Sequence, residues 1–340
     1  MIVKRVPLPA FVGRTQISGL GLAPPRPWPL ADHPAFDHPA DRADFALVSC
    51  FFNPASHARP VHNLGAFLDW CHGARVPIFM AELSFHDAPP VLPRQHSHVQ
   101  HFRLGEAGIM FQKEALLSSV IPRLPRQVTK IFLVDADVVP QAADAYAQAA
   151  ELLDDVPLLQ PYSEAVWADR TGMPRGHKKS TAWAAVSGDP QPAALDPAIF
   201  HPGFAIGLRR NFFEIVGPLY GCPITGTGDA ALWQAALAPH CAPPGPGRSH
   251  YTAPSPPAYR ERVAAWSGGL VGCLAGQMRH YWHGSHRERA YATRHRLLQD
   301  LRPDLHLTRD PETGLPIWTP AGAPFAAAMR GYFASRGEDT

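Results

Sequence analysis

The 340-residue chain, 46% hydrophobic and 18% charged, is long enough to bury one large core or two smaller ones and is too apolar for a disordered polymer. Its formal charge of +2 gives no electrostatic case for a nucleic-acid binder, although the 18 histidines would add positive charge toward acidic pH. Five scattered cysteines (Cys50, Cys71, Cys222, Cys241, Cys273) with no C-x-x-C pair argue against a disulfide framework and a zinc knuckle and suit a reducing compartment.

Residues 1–43 are rich in Pro, His and Asp without periodicity and read as an extended arm. The basic start lacks a continuous apolar core, and no stretch is long enough to span a bilayer, so a cytoplasmic location is expected. Residues 45–52 form an apolar, β-prone run closed by Asn53-Pro54, which predicts a buried strand. Leu64, Phe67, Leu68 and Cys71 follow at helical spacing. Residues 77–83 and 99–104 predict two more strands, and 109–120 a helix carrying Gln112, Lys113 and Glu114. Residues 131–139 predict a strong strand, 142–153 an Ala-rich helix and 157–161 a short strand. This alternation predicts an α/β fold, a Rossmann-like, mainly parallel mixed sheet flanked by helices. The second half is less regular. Residues 166–197 read as a long loop, 204–216 as a strand running into a helix, 239–257 as a Pro- and Gly-rich excursion, and 287–301 as a basic amphipathic helix.

Three constellations carry chemistry. The strand at 131–134 runs into Asp135-Ala136-Asp137. Two carboxylates converging at a strand end repel each other unless a cation lies between them, and Mg²⁺ or Mn²⁺ with a diphosphate suits such oxygen donors. The carboxyl end of a parallel strand is also where ligands of such sheets bind. Next, Thr225-Gly226-Thr227-Gly228-Asp229 precedes an apolar run, so Asp229 reads as a helix N-cap, as a general base at a pocket rim, or as both. Third, His280-Tyr281-Trp282-His283 offers imidazole ligands for a divalent metal. If that segment is extended, the two histidines face opposite ways and only one reaches the ion. Arg287, Arg289 and Arg294 follow, as phosphate binders or as a solvated helix face.

In this order the three segments resemble the glycosyltransferases of the GT-A fold. His201-Pro202-Gly203-Phe204-Ala205-Ile206-Gly207-Leu208-Arg209-Arg210, with Phe212, Phe213 and Gly217, resembles the block before the acceptor acid in those enzymes. Residues 225–229 are similar to the Gly-Glu-Asp block of β-1,4-galactosyltransferase-like members, with Gly228 in place of the Glu and Pro218 in place of a second Gly. The resemblance spans roughly residues 44–300. It implies a domain at 44–302, with a donor half at about 44–162 and an acceptor half at about 163–302, followed by a C-terminal extension at 303–340.

The resemblance also implies a function. A sugar would pass from a nucleotide-diphosphate donor, a UDP-sugar being favoured, to an acceptor hydroxyl with the help of Mn²⁺ or Mg²⁺. Asp137 and His280, or His283 in its stead, would hold the metal, and Asp135 metal, ribose or both. Phe52, Asn53, Arg59, Asn63, Glu82, Gln112 and Lys113 would lie along the nucleotide sugar. Asp229 would be the general base, Gly203 and Gly228 would shape the acceptor side, and Trp183 with Lys178 and Lys179 would form a lid. The acceptor could be a glycan, a lipid, a protein or a modified DNA base. Two rival readings are a nucleotidyltransferase, for which no Gly-rich phosphate loop follows the first strand, and a non-catalytic binding protein on a degenerate transferase fold. A metallohydrolase lacks its H-E-x-x-H.

Overall fold

Runs of β-branched, aromatic and aliphatic residues separated by turn formers set the strands. The computed structural model describes residues 29–38, 43–188, 195, 199–222, 224–239, 255–285, 289–290 and 293–339. Most of the expected arm, nearly all of the 239–257 excursion with Cys241, and parts of the expected basic helix lie outside the described residues. In chain order the strands are β1 (Phe45–Phe52), β2 (Ile78–Phe85), β3 (Val99–Leu104), β4 (Lys130–Val134), β5 (Val138–Pro140), β6 (Leu158–Gln160), β7 (Glu164–Ala168), β8 (Pro174–Lys179), β9 (Ala205–Arg209), β10 (Val271–Cys273), β11 (Gln277–His280), β12 (Leu307–Arg309) and β13 (Pro316–Trp318). The α-helices are α1 (Ala58–Ala74), α2 (Lys113–Val120), α3 (Ala145–Leu152), α4 (Thr181–Ser187), α5 (Phe212–Ile215), α6 (Gly228–Leu237), α7 (Pro257–Ser267), α8 (Pro303–His306) and α9 (Ala323–Ala334).

Seven strands form one sheet in the order β10-β6-β9-β4-β1-β2-β3. Only β9 runs antiparallel to its neighbours; the other pairs are parallel. This is the mainly parallel α/β sheet that the alternation of elements predicts. All five residues of β4 are buried, as expected for a central strand covered on both faces. Its side chains alternate between two apolar layers. Ile131 and Leu133 join Ala46, Val48, Leu117 and Trp233 on one face. Phe132 and Val134 join Leu47, Phe67, Leu68 and Tyr146 on the other. Each large side chain buried in this way contributes roughly 1.5–3 kcal/mol. On β9, Gly207 lies between Phe132 of β4 and Leu159 of β6, whose side chains crowd the same face so that a Cβ would lie 2.7 Å from Phe132 and 2.8 Å from Leu159.

A second sheet, β5-β11-β7-β8, positions the chemistry. Strand β4 stops at Val134, and Asp135 and Asp137 occupy the turn into β5, closed by the Val138 N–H donating to the Asp135 carbonyl at 3.3 Å. The expected single strand at 131–139 is thus two strands joined at the acids. Strand β11 pairs antiparallel with β5 in a register that sets His280 opposite Val138. The Tyr281 N–H donates to the Asp137 carbonyl at 2.9 Å.

Two further readings change. Residues 166–197 are not one long loop: β7 and β8 form a hairpin, and α4 follows. The Asp169 carboxylate accepts from the Thr171 and Met173 amides, at 2.8 and 3.0 Å, and Gly172 has φ +81°, which together make the turn. Strand β8 (PRGHKK) is largely exposed and carries no apolar alternation, so it shows no strand signal in the sequence. Within 287–301, the described stretch Arg294–Leu298 is a 3₁₀ turn rather than an amphipathic α-helix. Residues after 302 pack Trp318, Met329, Tyr332 and Phe333 into the same core as β1 and β2. Among the described residues, no helix is long and apolar enough to cross a membrane, and Cys50, Cys71, Cys222 and Cys273 are free thiols.

Candidate active site

A cavity of about 810 Å³ opens at the carboxyl ends of β1 and β4, within the range of small-molecule sites. Phe52, Phe111, Trp167 and Phe204 give it aromatic walls, and Lys113, Arg289, Arg294 and Arg336 bring positive charge to its lining. Asp135, Asp137, Glu114, Asp229 and Glu338 bring carboxylates.

At one end Asp137, His280 and His283 converge, with one ligand atom from each lying within 4.8 Å of the others. His283 Nε2 stands 2.9 Å from Asp137 Oδ2 and 2.9 Å from His280 Nε2, while His280 Nε2 is 3.5 Å from Asp137 Oδ2. Both histidines therefore face the same point. The expected opposition, which needs the strand to continue, fails because β11 ends at His280 and residues 281–283 belong to no strand. Burial opposes ionisation of Asp137, but the attraction of His280, His283 and Arg289 outweighs it and holds the carboxyl well below its ordinary range. Burial pushes the His280 imidazole well below its ordinary value, with Asp137 opposing the fall. A carboxylate beside neutral imidazole is a fitting donor set for a divalent transition ion. The Arg289 guanidinium packs against both nitrogens of the His283 ring, so positive charge already rests on this cluster.

Phe204 shapes the same end. It takes φ +67°, a left-handed conformation that a bulky residue adopts only at a cost of about 1–3 kcal/mol. Its ring stacks on His280 at 5.1 Å with the planes 13° apart, and its carbonyl accepts from the Asp135 N–H at 2.8 Å. The strained residue thus supports both the histidine and the acid turn.

Asp135 faces the other way. Its Oδ1 pairs with Lys113 Nζ at 2.5 Å. Burial pushes its carboxyl up, with Asp137 adding to the rise and Lys113 opposing it. Burial would lower the Lys113 ammonium, but Asp135, Asp229 and Glu114 together raise it, so it stays charged.

Asp229 lies in the first turn of α6, whose N-cap residue is Thr227. It lines the cavity half-buried, and its Oδ1 accepts from the Ala230 N–H at 2.9 Å. Gly203 presses against it: a Cβ there would lie 2.2 Å from Asp229 Oδ2. Gly228, beside it, meets Glu114, a buried acid on α2 that burial pushes up to about 7, with Lys113 opposing and Asp229 reinforcing the rise. The sequence did carry a signal for Glu114, which shares a helical face with Leu117 and Ile121.

The remaining expected residues divide between cavity and scaffold. Phe52 lines the cavity and meets Phe111 edge-on at 5.9 Å. Asn53 closes the turn before α1, its side chain exchanging hydrogen bonds with the His57 backbone at 2.7 and 3.1 Å. The Arg59 guanidinium lies over the Trp282 ring at 5.5 Å, and Asn63 Nδ2 donates to the Trp282 carbonyl at 3.1 Å. Both therefore brace the loop that carries His283. Glu82 sits inside β2, where its carboxylate accepts from the Val91 and Leu92 amides at 2.7 and 3.0 Å. Gln112 is buried and donates to the Gly108 and Pro316 carbonyls at 2.9 and 2.8 Å. Trp183 is on α4, with Lys179 Nζ 5.5 Å from its ring. Of the expected middle-loop residues, Lys178 reaches the cavity lining.

No family model matches the chain, and no curated protein sequence matches it. Among solved structures, it matches mannose-1-phosphate geranyltransferase from Thermus thermophilus at 13% identity, covering 69% of this chain and 74% of that one, with a TM-score of 0.28. It also matches mouse xyloside xylosyltransferase 1 in its apo form at 12% identity, covering 68% of this chain and 85% of that one, with a TM-score of 0.25.

Proposed function

We propose that this protein is a metal-dependent glycosyltransferase that moves a sugar from a nucleotide-diphosphate donor to an acceptor hydroxyl. The observation that carries the reading is one cavity that joins the Asp137–His280–His283 cluster to Lys113, the arginines and Asp229. Asp137, His280 and His283 would hold the cation, whose charge would stabilise the departing diphosphate. Two imidazoles beside one carboxylate favour Mn²⁺ over Mg²⁺. Lys113, Arg294 and Arg336 line the same space and supply charge suited to phosphate oxygens. The aromatic walls at Phe52 and Phe111 offer faces for a nucleotide base. Asp229 accepts the proton of the acceptor hydroxyl as that oxygen bonds to the anomeric carbon and the bond to the diphosphate breaks.

Thermal stabilisation by a panel of nucleoside diphosphates and nucleotide sugars, with and without Mn²⁺, tests the donor site in wild type and Asp137→Ala. One nucleotide should stabilise the wild type, by about 2.7 kcal/mol at a hundredfold excess over Kd, and the effect should require both Mn²⁺ and Asp137. No stabilisation by any member of the panel would overturn the reading. Turnover of the stabilising nucleotide sugar with release of its nucleoside diphosphate separates a transferase from a non-catalytic binder.

A further inference from the structure

We propose that Glu338, carried on the tail that follows α9, is a positioning residue of the metal centre, fixing the His283 imidazole with Nε2 turned toward Asp137 and His280. The inference rests on the metal reading above. Glu338 Oε1 lies 3.2 Å from His283 Nδ1, on the opposite side of the ring from the cluster. Arg336 pairs with the same oxygen, and Arg289 Nη2 lies 3.5 Å from it, so cations flank the carboxylate. An ionised carboxylate only accepts hydrogen bonds. With Glu338 as its acceptor, Nδ1 carries the proton and the lone pair is left on Nε2, the atom 2.9 Å from both Asp137 Oδ2 and His280 Nε2; the Arg289 guanidinium, a donor that crowds both ring nitrogens, must swing off Nδ1 for this pairing. A carboxylate behind a metal-binding histidine sets its tautomer and ring orientation, and removing such a partner costs about 10- to 100-fold in metal affinity.

The tail is built to deliver this group. Glu338 is 4% exposed. The next residue, Asp339, caps the first turn of α1, its carboxylate accepting from the Ala58 and Arg59 amides at 3.0 and 2.7 Å. Gly284, next to His283, has φ +97°, and a Cβ there would lie 3.1 Å from the Arg336 carbonyl. The glycine thus leaves the space through which the tail passes.

Mn²⁺ affinity by titration calorimetry and the visible absorption of bound Co²⁺ test the proposal on the full chain. Glu338→Ala should weaken Mn²⁺ binding roughly 10- to 100-fold. Glu338→Asp keeps the charge but withdraws it by one methylene, so it should also weaken binding and alter the Co²⁺ spectrum. Wild-type affinity and spectrum in Glu338→Asp would overturn the proposal, because a mere field effect survives the shortening. A wild type that binds neither ion, indistinguishable from Asp137→Ala, would overturn the metal reading itself, and this inference with it.

Discussion

The Glu114 carboxyl fills the space that any side chain at Gly228 would need: a Cβ on Gly228 would lie 2.0 Å from Glu114 Oε1 and 2.5 Å from its Cγ. The contact reaches well up a buried side chain, so rotating only its tip does not relieve it. Gly228→Ala should therefore destabilise the protein by about 1–3 kcal/mol through overpacking. In a Glu114→Ala background the same substitution should cost less, because the clashing atoms are gone. Denaturant midpoints of the two single variants and the double variant measure this coupling. Strictly additive effects would show that the two residues do not share this space.

The same burial makes Glu114 a pH-dependent liability. Its folded value of about 7 lies above the ordinary 4.5, because burial disfavours the charged form and Asp229 adds repulsion, against the pull of Lys113. Between these values the folded state holds more protons than the unfolded one, so stability falls as pH rises. The contribution is intact below about 4.5 and has been lost once pH passes about 7, a difference of about 3 kcal/mol. Glu114→Gln should remove this slope, so the stability difference between variant and wild type should grow over that window. Parallel urea titrations at pH 5 and pH 8 measure it, and an equal difference at both would contradict the assignment.

The legible parts were those in which local sequence and burial coincide. The run Lys130–Val134 is apolar after its first residue because it is covered on both faces, and the acids that follow stand out against it. Strand β8 was not legible, since exposed PRGHKK carries no periodicity. The same holds for residues whose partners are remote backbone atoms. Nothing local to Glu82 indicates that the Val91 and Leu92 amides will take up its carboxylate, nor does anything near Gln112 point to Pro316. Glu338 and Arg336 reach the cavity only through the path of the tail, which no spacing rule predicts. The two-histidine cluster was half legible, because the residue types were evident but the end of β11 at His280 was not.

Convergence of both imidazoles on Asp137 predicts that neither histidine substitutes for the other. His280→Ala and His283→Ala should each weaken Mn²⁺ binding by at least about tenfold, the loss typical when a metal site is disturbed, so that calorimetry distinguishes both from wild type. Phe204→Ala should weaken it less, since it removes the ring stacked on His280 but no donor atom. If one of the histidine variants binds Mn²⁺ like the wild type, that ring is a scaffold residue and the ion is held by the other alone.

Asp229 and Gly203 give the sharpest test of the transfer step. Asp229→Asn keeps the size of the side chain and removes its basicity, so the donor should still bind while transfer falls by about 10²- to 10⁴-fold. Gly203→Ala places a methyl 2.2 Å from the present position of Asp229 Oδ2 and must push the carboxylate aside. It should lower kcat while leaving the Mn²⁺-dependent nucleotide shift intact, because the metal cluster lies on Asp137 and the histidines rather than on α6. Initial rates against donor concentration, paired with the thermal shift of each variant, separate the two effects. Full transfer activity in Asp229→Asn would remove it from the role of base, and a lost nucleotide shift in Gly203→Ala would show that the donor also depends on this wall of the cavity.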